Sequence, residues 1–118
     1  MKNALDTIVQ SLSKEEVRFF KLFLKRTNNK NRKDVDLFDL IRKKNGDYPT
    51  KDALQILKTN PNNYYQVKNR LYHGLNNSMV WQHIWKDKQS KSFSFILLSR
   101  IYKNRGELEL SFHYLKKA

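Results

Sequence analysis

Seven basic side chains with no acid among them run from Arg18 to Lys33: Arg18, Lys21, Lys25, Arg26, Lys30, Arg32 and Lys33. Arg18, Lys21 and Lys25 stand at helical spacing on one face, and the polar loop of residues 26–33 prolongs the patch. The chemistry open to such a stripe is phosphate neutralisation. Each contact releases condensed counterions, so binding is sensitive to salt and tolerant of sequence. A second set lies within residues 50–77, where a short helix, a tight turn and a longer helix give helix-turn-helix spacing. The face of the longer helix opposite its apolar stripe carries Asn62, Gln66, Asn69, Arg70, His73 and Asn77. Asn and Gln can pair bidentately with adenine and Arg with guanine, while Lys51, Lys58 and Lys68 are placed to meet phosphates. The plain alternative for both sets is a solvated face, since exposed helices carry the same residue types for solubility.

Catalytic chemistry finds no such grouping. The three histidines, His73, His83 and His113, lie far apart and show no metal-ligand spacing with a carboxylate or thiol. There is no cysteine and no phosphate-binding glycine loop. The sequence therefore predicts a protein that is not an enzyme and needs no metal or cofactor. Tyr64, Tyr65, Tyr72, Trp81 and Trp85 are rings of the kind that stack on bases, but their helical spacing points to core packing instead.

The elements that must position these residues are helices. Two prolines and three glycines in 118 residues, with no alternating apolar and polar run, predict an all-α chain. Leu5, Ile8, Val9 and Leu12 give a first helix near 3–12. Ser13 and Glu16 form a capping box for a second at about 14–26, with Val17, Phe20 and Leu24 on one face. Val35, Phe38 and Ile41 mark a third at about 34–44, stopped by Asn45-Gly46. Thr50 is placed to cap a fourth at about 51–58. Asn60 and Pro61 then open a fifth, which runs to about residue 86 with a break offered at Asn76-Asn77-Ser78. Residues 87–91 read as a linker before two last helices at about 92–104 and 107–118.

The segment from Phe95 to Ala118 resembles most of one tetratricopeptide repeat. Phe95 takes the aromatic place, Leu98 the Leu, Ser99 the small residue, Tyr102 the Tyr and Gly106 the Gly. Ser111 takes the second small place, Leu115 the bulky apolar one and Ala118 the Ala. The departures are Phe for Trp, two Ser for Gly and Ala, and Leu for an aromatic. The resemblance implies a helical hairpin, with Leu98, Tyr102 and Leu115 buried and Gly106 in the turn, and a scaffold that binds protein partners. The whole chain is faintly similar to the front segments of bacterial helical-repeat proteins.

Bulk properties fit this outline. Hydrophobic residues make up 39% of the chain, including seven Phe, six Tyr and two Trp, which is too apolar for a disordered tail. No stretch approaches the roughly 18 apolar residues of a membrane span. The first residues read as a helix rather than a signal peptide, so a cytoplasmic location is expected. Lys and Arg number 24 against 11 Asp and Glu, for a net charge of +13, and only four of the acids are Glu. Such an excess repels itself unless a polyanion meets it. The expectation is an all-α protein of about seven helices, with a basic bundle over 1–88 containing the helix-turn-helix-like pair and a tetratricopeptide-like hairpin over 89–118. It is expected to bind DNA or RNA by its backbone, and the alternative is a protein-interaction scaffold or subunit of a larger assembly.

Overall fold

The computed structural model describes residues 3–27, 32–45 and 47–118. Among them the chain forms seven α-helices and no strand: α1 (Ala4–Ser11), α2 (Lys14–Thr27), α3 (Arg32–Lys44), α4 (Thr50–Leu57), α5 (Pro61–His83), α6 (Lys88–Asn104) and α7 (Leu108–Lys117). None is long and apolar enough to cross a membrane.

Local chemistry sets most of the helix starts. Asn3 Oδ1 accepts from the Asp6 amide at 2.8 Å and opens α1. The Ser13–Glu16 capping box is made in both directions: the Glu16 amide donates to Ser13 Oγ at 3.2 Å and the Ser13 amide to Glu16 Oε1 at 2.9 Å. Asn60 Oδ1 accepts from the Asn63 amide at 2.8 Å, with Pro61 at the first helical position of α5. Asn45 ends α3 in the left-handed region at φ 53°, and Gly46 lies outside the described residues.

Two sequence expectations are corrected, and the break offered within α5 is not taken. Pro49, not Thr50, occupies the N-cap of α4, and no side chain caps that helix; Thr50 is already helical. α5 runs unbroken through Asn76, Asn77 and Ser78, because the stripe of Tyr64, Val67, Leu71 and Leu75 is buried along its length and Ser78 continues it, fully buried. The expected linker at 87–91 is the first turn of α6. Asp87 accepts from the amide and hydroxyl of Ser90 at 2.9 and 2.8 Å, and those hydrogen bonds hold its carboxyl below the usual carboxylate range.

Two compact units divide the chain, residues Met1–Met79 and Val80–Ala118, with the division inside α5. In the first unit α1 packs on α3 and α3 on α4. The core joins all five helices: Leu5 and Val9 of α1, Phe20 and Leu24 of α2, Phe38 and Ile41 of α3, Ala53 and Leu57 of α4, and the stripe of α5. Arg42 ties α1 to α3. Its Nη1 donates to the carbonyls of Val9 and Leu12 at 2.9 and 3.4 Å, satisfying oxygens that the end of α1 leaves open.

A polar group sits inside this core. The hydroxyl of Tyr48 donates to Oδ1 of buried Asp6 at 3.5 Å, beside buried Tyr64. Burial, hydrogen bonding with Tyr64 and the charges of Tyr64 and Asp6 push the Tyr48 phenol well above its ordinary range. Burial and Asp6 also raise that of Tyr64, with the Tyr48 hydrogen bond opposing them. A phenol whose pKa is higher folded than unfolded contributes stability below the unfolded value of about 10, and that contribution is lost as pH rises beyond it. Two of the six tyrosines are therefore expected to ionise only with alkaline unfolding. An ultraviolet tyrosinate titration should show that delayed step coincide with loss of helical circular dichroism, and Tyr48→Phe should reduce it by one tyrosine.

In the second unit α6 and α7 form a tight hairpin about a turn that holds Gly106 at φ 80°. Where the helices face each other stand two small residues. Ser111 Oγ donates to the carbonyl of Ser99 at 2.9 Å, and the two hydroxyl oxygens lie 3.0 Å apart, so both buried serines are satisfied. Trp85 packs edge-on against Phe95 at 5.5 Å between ring centroids, and Phe95 and Tyr102 each stack on Tyr114 at 6.2 and 5.6 Å. Leu98 and Tyr102 are half-buried, whereas Leu115 is exposed.

Candidate nucleic-acid interface

The basic stripe begins on α2, whose first-turn acids Glu15 and Glu16 and last-turn bases Lys25 and Arg26 suit the helix dipole. Arg18, Lys21, Lys25, Arg26 and Lys33 are all exposed. Lys30 lies outside the described residues, and Arg32 is described only through its backbone at the start of α3. Lys21 Nζ reaches Asp39 Oδ1 at 3.0 Å, with both side chains about half exposed. A surface pair of this kind contributes about 0–1 kcal/mol and yields readily to a phosphate.

On α5, Gln66, Asn69, His73 and Asn77 are exposed as the face analysis predicts. Arg70 is corrected. Its Nε donates to both oxygens of Asp34 at 2.9 and 2.8 Å and its Nη2 to Oδ1 at 2.7 Å, while the Asp34 side chain is 1% exposed. Those hydrogen bonds raise the guanidinium pKa above its ordinary value. The Arg70 fork therefore serves to neutralise a buried carboxylate at the start of α3, and those donors are not turned to solvent for a bidentate contact with guanine. Lys68 lies over the Tyr64 ring at 5.4 Å from its centroid, whereas Lys51 and Lys58 are exposed.

Part of the α5 set lines an open groove of about 550 Å³ in the first unit, which none of the basic residues of the Arg18–Lys33 stripe lines. Phe23 and Leu24 of α2 line one side, Arg70, His73, Gly74 and Asn77 of α5 the other, with Asp34 of α3 between. Gly74 needs no glycine on steric grounds: a Cβ there would stand 3.8 Å from Leu24 Cδ2 and Phe20 Cε1, in ordinary contact. Glycine inside a helix costs about 1 kcal/mol relative to alanine, and here it keeps the groove wall low. Tyr72 braces the His73 ring edge-on at 5.5 Å.

Sequence reasoning missed the groove, since its lining residues Phe23, Leu24 and Gly74 carry no polar or charged group that would mark them. It also assigned the aromatic residues of α5 and its extension to the core. Tyr64 is buried and Tyr72 half-buried, but Tyr65 and Trp81 are each 65% exposed and Trp85 is 47% exposed. No group of three or more His, Cys, Asp or Glu among the described residues is placed to hold a metal ion. Compared with known protein families, curated proteins and solved structures, the chain matches none.

Proposed function

We propose that this is a non-enzymatic nucleic-acid-binding protein that meets the phosphate backbone with the basic face of its first unit. The observation that carries this reading is the exposure of Arg18, Lys25, Arg26 and Lys33 in a chain of net charge +13. Phosphate contact asks only for accessible charge, which these residues supply. Gln66 and Asn69 add contacts from α5.

Retention on nucleic acid should fall steeply with salt, with a log–log slope of about 0.9 per phosphate contacted on duplex DNA. The triple variant Lys25→Glu, Arg26→Glu, Lys33→Glu should weaken binding to all sequences alike and flatten that slope by about three contacts. Absence of retention on both DNA and RNA at low salt rejects the reading.

The alternative, an interaction scaffold of tetratricopeptide type, is favoured by one feature of the second unit. Leu108, Phe112 and Leu115 form a helical stripe along α7 at 57, 61 and 50% exposure, and Phe93 and Leu97 of α6 are exposed too. Apolar anchors at this spacing suit a helix face that receives a protein partner. Binding to nucleic acid that Phe112→Asp leaves intact would separate that surface from the basic one.

A further inference from the structure

We infer that the groove between α2 and α5 seats unstacked bases, so that the nucleic acid preferred is single-stranded. This rests on the nucleic-acid reading above and names the form of ligand. A duplex offers a protein its phosphates and base edges, with the base faces stacked inside; a single strand offers the faces as well. Phosphates have no use for Phe23 and Leu24, yet these apolar side chains line the groove immediately before exposed Lys25 and Arg26 in the chain. An occupant with flat apolar surface and a phosphate backbone would suit the groove and the cations that follow it on α2.

The polar groups in the groove fit a base. Arg70 is fixed by three hydrogen bonds to Asp34, so its guanidinium is a rigid plane, and the Asp34 charge is neutralised rather than presented to a polyanion. Arg planes and aromatic rings are the surfaces on which unpaired bases stack. His73 supplies a ring held edge-on by Tyr72, and Asn77 an amide with both a donor and an acceptor for a base edge. Gly74, which also lines the groove, adds no side chain to it. From this groove a row continues down α5 at spacings of four: Asn77, His73, Asn69 and Tyr65, all exposed. It alternates amide and ring, and its two rings lie about 12 Å apart along the helix axis. A strand following that row would meet a stacking ring, an amide and a second ring in turn.

The test is fluorescence anisotropy of the full chain with labelled oligothymidylate and oligouridylate of about 12 nucleotides, and with a duplex of equal length. The single strands should bind about tenfold or more tightly than the duplex. The double variant His73→Ala, Asn77→Ala changes only exposed side chains; it should weaken single-strand binding about tenfold and leave duplex binding within about twofold. Gly74→Leu, which fills the groove, should do the same, with circular dichroism reporting its folding. Lys25→Glu, Arg26→Glu should weaken both forms. Equal affinity for both forms, with the groove variants indifferent, overturns the inference and leaves backbone binding standing. Loss of both forms in the groove variants also overturns it. Failure of the unaltered chain to bind any of the probes rejects the nucleic-acid reading itself. Thymine against uracil strands separates a DNA from an RNA preference.

Discussion

Arg70→Ala is expected to destabilise the first unit by about 3 kcal/mol, measured as a lowered urea midpoint with an unchanged m value. Removing one partner of a buried ion pair costs about 3–5 kcal/mol, because the other charge is left unpaired where water cannot reach it. The lower end applies here because the Arg70 side chain is 38% exposed, which lets some water approach, while that of Asp34 is 1% exposed. The two ends of the pair are therefore unequal. Asp34→Ala frees a guanidinium that can turn to solvent and should be the milder change. The double variant Asp34→Ala, Arg70→Ala should recover much of the loss, since it leaves no stranded charge. Arg70→Lys should fall between, because a lysine is a point charge without the fork that spans both carboxylate oxygens. Against a total of about 5–15 kcal/mol for a domain, the Arg70→Ala loss is large. Equal midpoints for Arg70→Ala and the unaltered chain would show that the pair does not hold α3 to α5. Any effect of Arg70→Ala on nucleic-acid binding should be measured at a temperature where the variant remains folded.

How far the sequence discloses this arrangement depends on the range of the interaction. Ser13 with Glu16, Asn60 with Pro61 and the turn glycine Gly106 are legible because each works over a few residues through backbone groups that must be satisfied. The all-α class follows from helical periodicity in the same way. Thr50 misleads because it is a competent cap, and only the placement of Pro49 decides that it is not used; residues 87–91 mislead because a polar run reads as a linker although Asp87 caps α6 through the Ser90 amide. Arg70 misleads more deeply. It lies on the polar face of α5 and looks like a surface cation, while Asp34 looks like a favourable first-turn acid of α3. Their pairing spans 36 residues and exists only after α3 and α5 meet. The groove is of the same kind. Phe23 widens an apolar stripe in sequence, and nothing short of the packing of α2 beside α5 shows it to be a wall rather than core. Half of the candidate site was thus readable as charge and amide composition. The part that would discriminate between ligands was not, because it consists of the space left between helices.

Phe38→Ala tests whether the core beneath that groove is as tightly filled as the geometry indicates, and it is expected to cost about 3–5 kcal/mol. Phe38 is completely buried, and its ring meets that of Phe20, itself 1% exposed, at 5.0 Å between centroids. The loss has two parts, the apolar surface no longer removed from water and the void left among neighbours that relax only partly. Phe20, whose ring meets that of Phe38, is the neighbour placed to move into the void. Phe38→Leu keeps most of the apolar volume and should cost about 1.5 kcal/mol. The same Phe→Ala change at Phe93, which is 66% exposed in the second unit, should stay within about 0.5 kcal/mol. The ratio between the Phe38 and Phe93 effects is the informative quantity, because the side chain removed is identical and only its burial differs. Equal losses at the two positions would mean that Phe38 is not in a packed core.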